Sequence, residues 1–115
     1  HYEPSMVEIH HTQKLDAPSG TAITLAEGLI NNNPVKNEWV NEKSDQKNQL
    51  EIISERERTV PGTHSVTYQS GMDEIEIKHT AHTRDSFALG AIFVAEWIKD
   101  KAGFLTMDDF IKLND

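Results

Sequence analysis

The stretch covering residues 6–30 constrains the fold more than any other. Residues 6–9 alternate weakly and lead into His10 and His11, which reads as a short strand delivering two histidines at its carboxyl end. Pro18 then interrupts regular structure. Ser19 or Gly20 can open a helix whose apolar positions Ile23, Leu25, Ala26, Leu29 and Ile30 recur with helical spacing, up to the breaker Asn31-Asn32-Asn33-Pro34. A strand–loop–helix unit follows, and it carries the chemistry. Adjacent strand residues point to opposite faces, so His10 and His11 are expected to do different jobs. Lys14 can fold back toward the same pocket, with Asp16 orienting it or its loop. The helix start at Ser19 or Gly20 offers unpaired backbone N–H groups to an anion. The group reads as a site for protonating and holding an anionic substrate.

Beyond residue 49 the pattern changes. Residues 37–49 read as a short strand and an exposed loop, and residues 50–52, 53–55, 64–69 and 74–82 supply β-branched or alternating segments. Pro61-Gly62 and Ser70-Gly71 serve as turns between them. Ile75, Ile77, His79 and Ala81 alternate with Glu74, Glu76, Lys78, Thr80 and His82, the pattern of a half-buried strand. Phe87, Ala88, Ala91, Phe93, Val94, Trp97 and Ile98 then recur with helical spacing over residues 86–101. Gly103 closes that helix, and Thr106 with Asp109 opens another over residues 107–113. The fold class expected is α+β: a mixed sheet of about four strands, covered on one face by the helix from Gly20, followed by terminal helices.

Composition narrows the partners. The 115 residues carry a net charge of −8 with 11 scattered basic residues, which argues against nucleic acid and against an anionic membrane surface. With no cysteine, disulfides and thiolate chemistry are excluded, and a reducing, cytoplasmic setting is expected. Apolar runs fall far below the roughly 20 residues a bilayer span needs. No metal site is expected, because adjacent histidines are poorly disposed to bind one ion together. Ser19 lacks the G-x-S-x-G elbow, which disfavours a hydrolase.

The run E-I-H-H-T-Q-K-L-D-A-P-S-G-T-A over residues 8–22 closely resembles the signature E-x-H-H-x-x-K-x-D-A-P-S-G-T-A of the 4-hydroxy-tetrahydrodipicolinate (dihydrodipicolinate) reductases. Weaker matches run on through Arg56, Gly62-Thr63-His64, Val66, His79, Arg84 and Phe87-Ala88 to Gly90-Ala91. The resemblance implies an enzyme of lysine and diaminopimelate biosynthesis in which NADPH or NADH reduces a dianionic cyclic dicarboxylate. It implies His10 as proton donor, Lys14 as second catalytic residue, His11, Ser19, Gly20 and Thr21 as substrate contacts, and Arg84 in interdomain organisation. It further implies a substrate-binding, tetramer-forming domain over residues 1–84 and terminal helices over residues 85–115 that return to a Rossmann domain outside this chain. On that expectation the chain is a fragment, inactive alone, and the apolar faces of its terminal helices are partly exposed or covered by another chain. The alternative is a non-catalytic oligomerisation or anion-binding module of the same fold.

Overall fold

The computed structural model describes residues 1–112. It divides into two compact units, His1–His82 and a second beginning at Thr83. The first unit is built on strands β1 (Glu3–His10), β2 (Glu38–Val40), β3 (Gln49–Arg56), β4 (Gly62–Gln69) and β5 (Glu74–Ala81), with helix α1 (Gly20–Asn31). They form one sheet in the order β2-β3-β1-β4-β5. β2, β3 and β1 run parallel, while β4 adds antiparallel to β1 and β5 antiparallel to β4. The sheet is mixed, as expected, but has five strands rather than four. The two apolar segments at residues 50–55 merge into β3, and the three-residue β2 pairs on its outer edge.

Alternation along β1 decides the core. Met6, Glu8 and His10 are buried, whereas Ser5, Val7 and Ile9 are partly exposed. Met6 lies between Ile52 on β3 and Val66 on β4, and packs with Leu50 and Ile52 under Ala22 and Ala26 of α1. Small residues at those two helix positions let α1 approach the sheet closely. Two residues further along β1 the same face turns polar, with Glu8 between Ser54 and His64. The core thus ends in a polar cluster beneath the helix N-terminus.

α1 packs on β1, β2 and β3. That reach explains a departure from the sequence expectation: the apolar face of β5 is not half-buried. Ile75 and Ile77 are 52% and 66% exposed, and only Ala81 of this strand is buried. Alternation set the two faces of β5, but no helix of the first unit lies over its inner one.

The second unit holds α2 (Asp85–Trp97), a 3₁₀ turn (Ile98–Asp100) and α3 (Met107–Lys112). Thr106 caps α3 as its spacing with Asp109 predicts: the Asp109 carboxylate accepts from the Thr106 N–H at 2.8 Å. Trp97 meets Phe110 edge-on, with ring centroids 5.4 Å apart. No residue of α2 is buried, and Phe87, Ile92 and Phe93 are each about half exposed, so its apolar face is partly exposed as expected. Leu113, expected at the end of the last helix, lies outside the described residues.

Candidate active site

Glu8 is the centre of the polar cluster and is fully buried. Its Oε2 accepts the Ser19 backbone N–H at 2.9 Å and the Ser54 hydroxyl at 2.8 Å. Burial by itself would raise the Glu8 carboxyl. The donors from Ser19 and Ser54, with His10 close by, outweigh it and hold the group below the ordinary carboxylate range. Glu8 Oε1 lies 3.0 Å from His10 Nε2 yet makes no hydrogen bond of acceptable geometry.

His10 Nε2 is also 3.3 Å from His64 Nε2, and the two rings meet edge-on at 5.0 Å between centroids. Ser19 Oγ closes the group at 3.3 Å from His64 Nε2. Desolvation pushes both imidazoles below their usual value. Glu8 opposes this at each ring, and the positive charge of Lys14 adds to it. The other edge of the His10 ring rests on Gly62, where an added Cβ would stand 3.2 Å from Cε1 and 3.4 Å from Nδ1. Glycine here makes room for the imidazole.

Ser19 caps α1 from extended backbone (φ −66°, ψ 160°), its Oγ accepting the Ala22 N–H at 3.2 Å. Its own N–H goes to Glu8, and the Ile23 N–H goes to the Ser19 carbonyl. Among the described residues, the Gly20 and Thr21 N–H groups have no such acceptor, and both residues are exposed. A helix start with two N–H groups aimed outward, beside two imidazoles, suits a carboxylate.

Lys14 follows a turn closed by its own N–H to the His11 carbonyl at 3.1 Å, and its ammonium pairs with Asp16 at 3.0 Å. The hydrogen bond from Lys14 holds the Asp16 carboxyl below its ordinary value. Arg56 clasps this loop from β3, donating to the Asp16 carbonyl at 2.7 Å, to the Lys14 carbonyl at 3.4 Å and to the Glu55 carbonyl at 2.9 Å. Lys14, Ala17, Asn41, Ser54 and Arg56 border a concavity of about 390 Å³.

The structure therefore brings His10 and Ser19 together and sets Gly20 and Thr21 beside them at the open helix start. Lys14 and His11 sit on the loop that joins them. Arg84 belongs to the second unit, where it precedes α2 and its carbonyl accepts the Phe87 N–H at 3.1 Å. Glu8, His64, Ser54 and Arg56 join the site without a role expected from the sequence. The available signal was local: Glu8 and His10 share the α1 face of β1, and an acidic residue on a core face asks for partners.

Comparison with known proteins bears directly on this site. The family described as dihydrodipicolinate reductase, C-terminus, matches residues 1–111. The chain belongs to this family. It is 50% identical over 110 residues to the 4-hydroxy-tetrahydrodipicolinate reductase of Christiangramia forsetii, and 41% identical over 123 residues to that of Archaeoglobus fulgidus. Each match covers 96% of this chain and 46% of the relative, so the chain spans about half the length of these curated relatives. Among solved structures, the dipicolinate-bound dihydrodipicolinate reductase from Paenisporosarcina sp. TG-14 is similar with a TM-score of 0.64 and 28% identity. That likeness covers 79% of this chain and 37% of the solved one.

Proposed function

We propose that this chain supplies the substrate-binding part of a 4-hydroxy-tetrahydrodipicolinate reductase of lysine and diaminopimelate biosynthesis. The observation that carries the reading is the helix start: the free N–H groups of Gly20 and Thr21 open beside Ser19, which touches His64 and through it His10. One carboxylate of a cyclic dicarboxylate docks on these N–H groups and the Thr21 hydroxyl, while Lys14 and His11 on the loop receive the rest of the dianion. Negative charge arriving there favours the protonated form of His10, so binding itself loads the acid. His10 then gives its Nε2 proton to the reduced ring. Lys14 stabilises charge during transfer, and Arg56 keeps its loop in place.

The reaction requires a nicotinamide dinucleotide, NADPH or NADH. The described residues do not fit one: Gly20, Gly28, Gly62, Gly71, Gly90 and Gly103 stand far apart, and none forms a glycine-rich phosphate loop. The cofactor is accordingly assigned to sequence outside this chain, and Arg84 to the link with it. A homotetramer formed through the sheet is part of the proposal, supported by the exposed Ile75 and Ile77 of β5. A cytoplasmic setting is likewise proposed, in keeping with a chain free of cysteine.

Turnover of the chain joined to a nucleotide-binding domain tests the roles. Replacing the acid in His10→Gln should lower kcat by about 10²–10⁴-fold with a much smaller change in KM. Unchanged kcat in a folded His10→Gln variant would reject His10 as the donor.

A further inference from the structure

The cluster around Glu8 has a geometry that proton transfer alone does not require. Glu8 and His10 lie two residues apart on the same face of β1, and His64 is the cross-strand partner of Glu8 on β4. Their tips converge. His10 Nε2 is 3.0 Å from Glu8 Oε1 and 3.3 Å from His64 Nε2, and the three ligand atoms lie within 4.8 Å of one another. Tetrahedral zinc with bonds of about 2.0–2.1 Å sets neighbouring ligand atoms roughly 3.3–3.4 Å apart. Shifts of a few tenths of an ångström bring His10 to that spacing from both partners, and Glu8 and His64, within 4.8 Å of each other, close on the ion as it binds.

A second observation is independent of spacing. Glu8 Oε1 is a buried carboxylate oxygen without a hydrogen bond, although its twin Oε2 has two donors. The ion-pair neighbour of Oε1, His10 Nε2 at 3.0 Å, balances it only when protonated; with His10 neutral the buried anionic oxygen is costly, and a cation in front of it removes that cost. The two donors on Oε2 meanwhile fix the carboxylate plane, as partners of a metal ligand do.

We propose that Glu8, His10 and His64 form a Zn²⁺ site, with a fourth position left open beside Ser19. Two imidazoles and one carboxylate suit zinc, whereas calcium and magnesium favour oxygen ligands throughout. The chain neighbours His10 and His11 are poorly disposed to share one ion. The pair that matters is His10 and His64, which only the β1–β4 pairing brings together. Ion binding follows from this geometry whether or not the reductase reading holds. Under that reading, an ion on His10 Nε2 displaces the proton that the reaction needs.

The test is calorimetric titration of the metal-free 115-residue chain with zinc chloride, and the absorption spectrum of the chain loaded with Co²⁺. The expected result is one ion per chain, a tetrahedral Co²⁺ spectrum, and binding weakened at least tenfold in both Glu8→Gln and His64→Gln. His82→Gln, which lies outside the cluster, should bind as the parent does. Gln at position 8 keeps an acceptor for Ser19 and Ser54, and His64→Gln leaves both donors to Glu8 Oε2 in place, so a folding defect in one variant does not remove the test. Absence of saturable binding by a chain with a folded far-UV spectrum would overturn the proposal. So would binding that survives both cluster substitutions.

Discussion

Ser19→Ala probes the joint between α1 and the site. The substitution deletes the Oγ that accepts the Ala22 N–H at 3.2 Å, and Ala22 is fully buried, so no water can take its place. Losing a side-chain cap costs about 0.5–2 kcal/mol, and stranding a buried donor costs about 1–3 kcal/mol. These describe one lost bond from two directions, so the expected loss is about 2 kcal/mol rather than their sum. The Ser19 N–H to Glu8 survives, since it is backbone. For a domain of this size the loss corresponds to a fall in Tm of roughly 8–16 °C. Urea unfolding followed by far-UV circular dichroism measures it, with Thr24→Ala at an exposed position of α1 as the control within about 0.5 kcal/mol of the parent. If Ser19→Ala also falls within that range, the cap does not hold the helix start and the reasoning fails.

Glycine positions give a paired prediction. Gly62→Ala places a Cβ 3.2 Å from His10 Cε1 and should destabilise by about 1–3 kcal/mol; Gly28→Ala meets nothing within 4 Å inside α1 and should stabilise by about 0.5–1 kcal/mol. Thermal melts of the two read opposite signs, and the same sign in both would contradict the packing described. Arg56→Met removes the donors to the Lys14 and Asp16 carbonyls, so trypsin should cut after Lys14 several-fold faster; an unchanged rate means Arg56 does not hold the loop. Ile77→Lys should shift sedimentation toward the monomer if β5 joins subunits, and an unaltered assembly would move the interface elsewhere.

Much of the site was legible because it is local. Strand alternation, Pro18 and the capping serine punctuate one short segment, and their consequences stay within it. Burial of β5 was not legible in the same way. Alternation tells which residues share a face, but what covers that face depends on where α1 lies, and α1 reaches β1, β2 and β3. The Glu8–His10–His64 cluster was hidden for a related reason. His64 is 54 residues from His10, and their meeting depends on antiparallel register between β1 and β4. Arg56 likewise comes to the Lys14 loop through the parallel pairing of β3 with β1, which sets Arg56 opposite His10.

Carboxylate binding by the backbone N–H groups at the start of α1 is what the proposed function depends on most. Gly20→Pro deletes one of them cleanly, because proline is favoured at the first helical position and the extended backbone of Ser19 accommodates it. Gly20→Ala keeps the N–H, and its Cβ meets nothing within 4 Å. The direct measurement is calorimetric titration of parent, Gly20→Pro and Gly20→Ala with pyridine-2,6-dicarboxylate in metal-free buffer. A charge-assisted hydrogen bond worth about 1.5–3 kcal/mol predicts affinity lowered by roughly 10–150-fold in Gly20→Pro and little changed in Gly20→Ala. Equal affinity in Gly20→Pro and the parent would contradict the account.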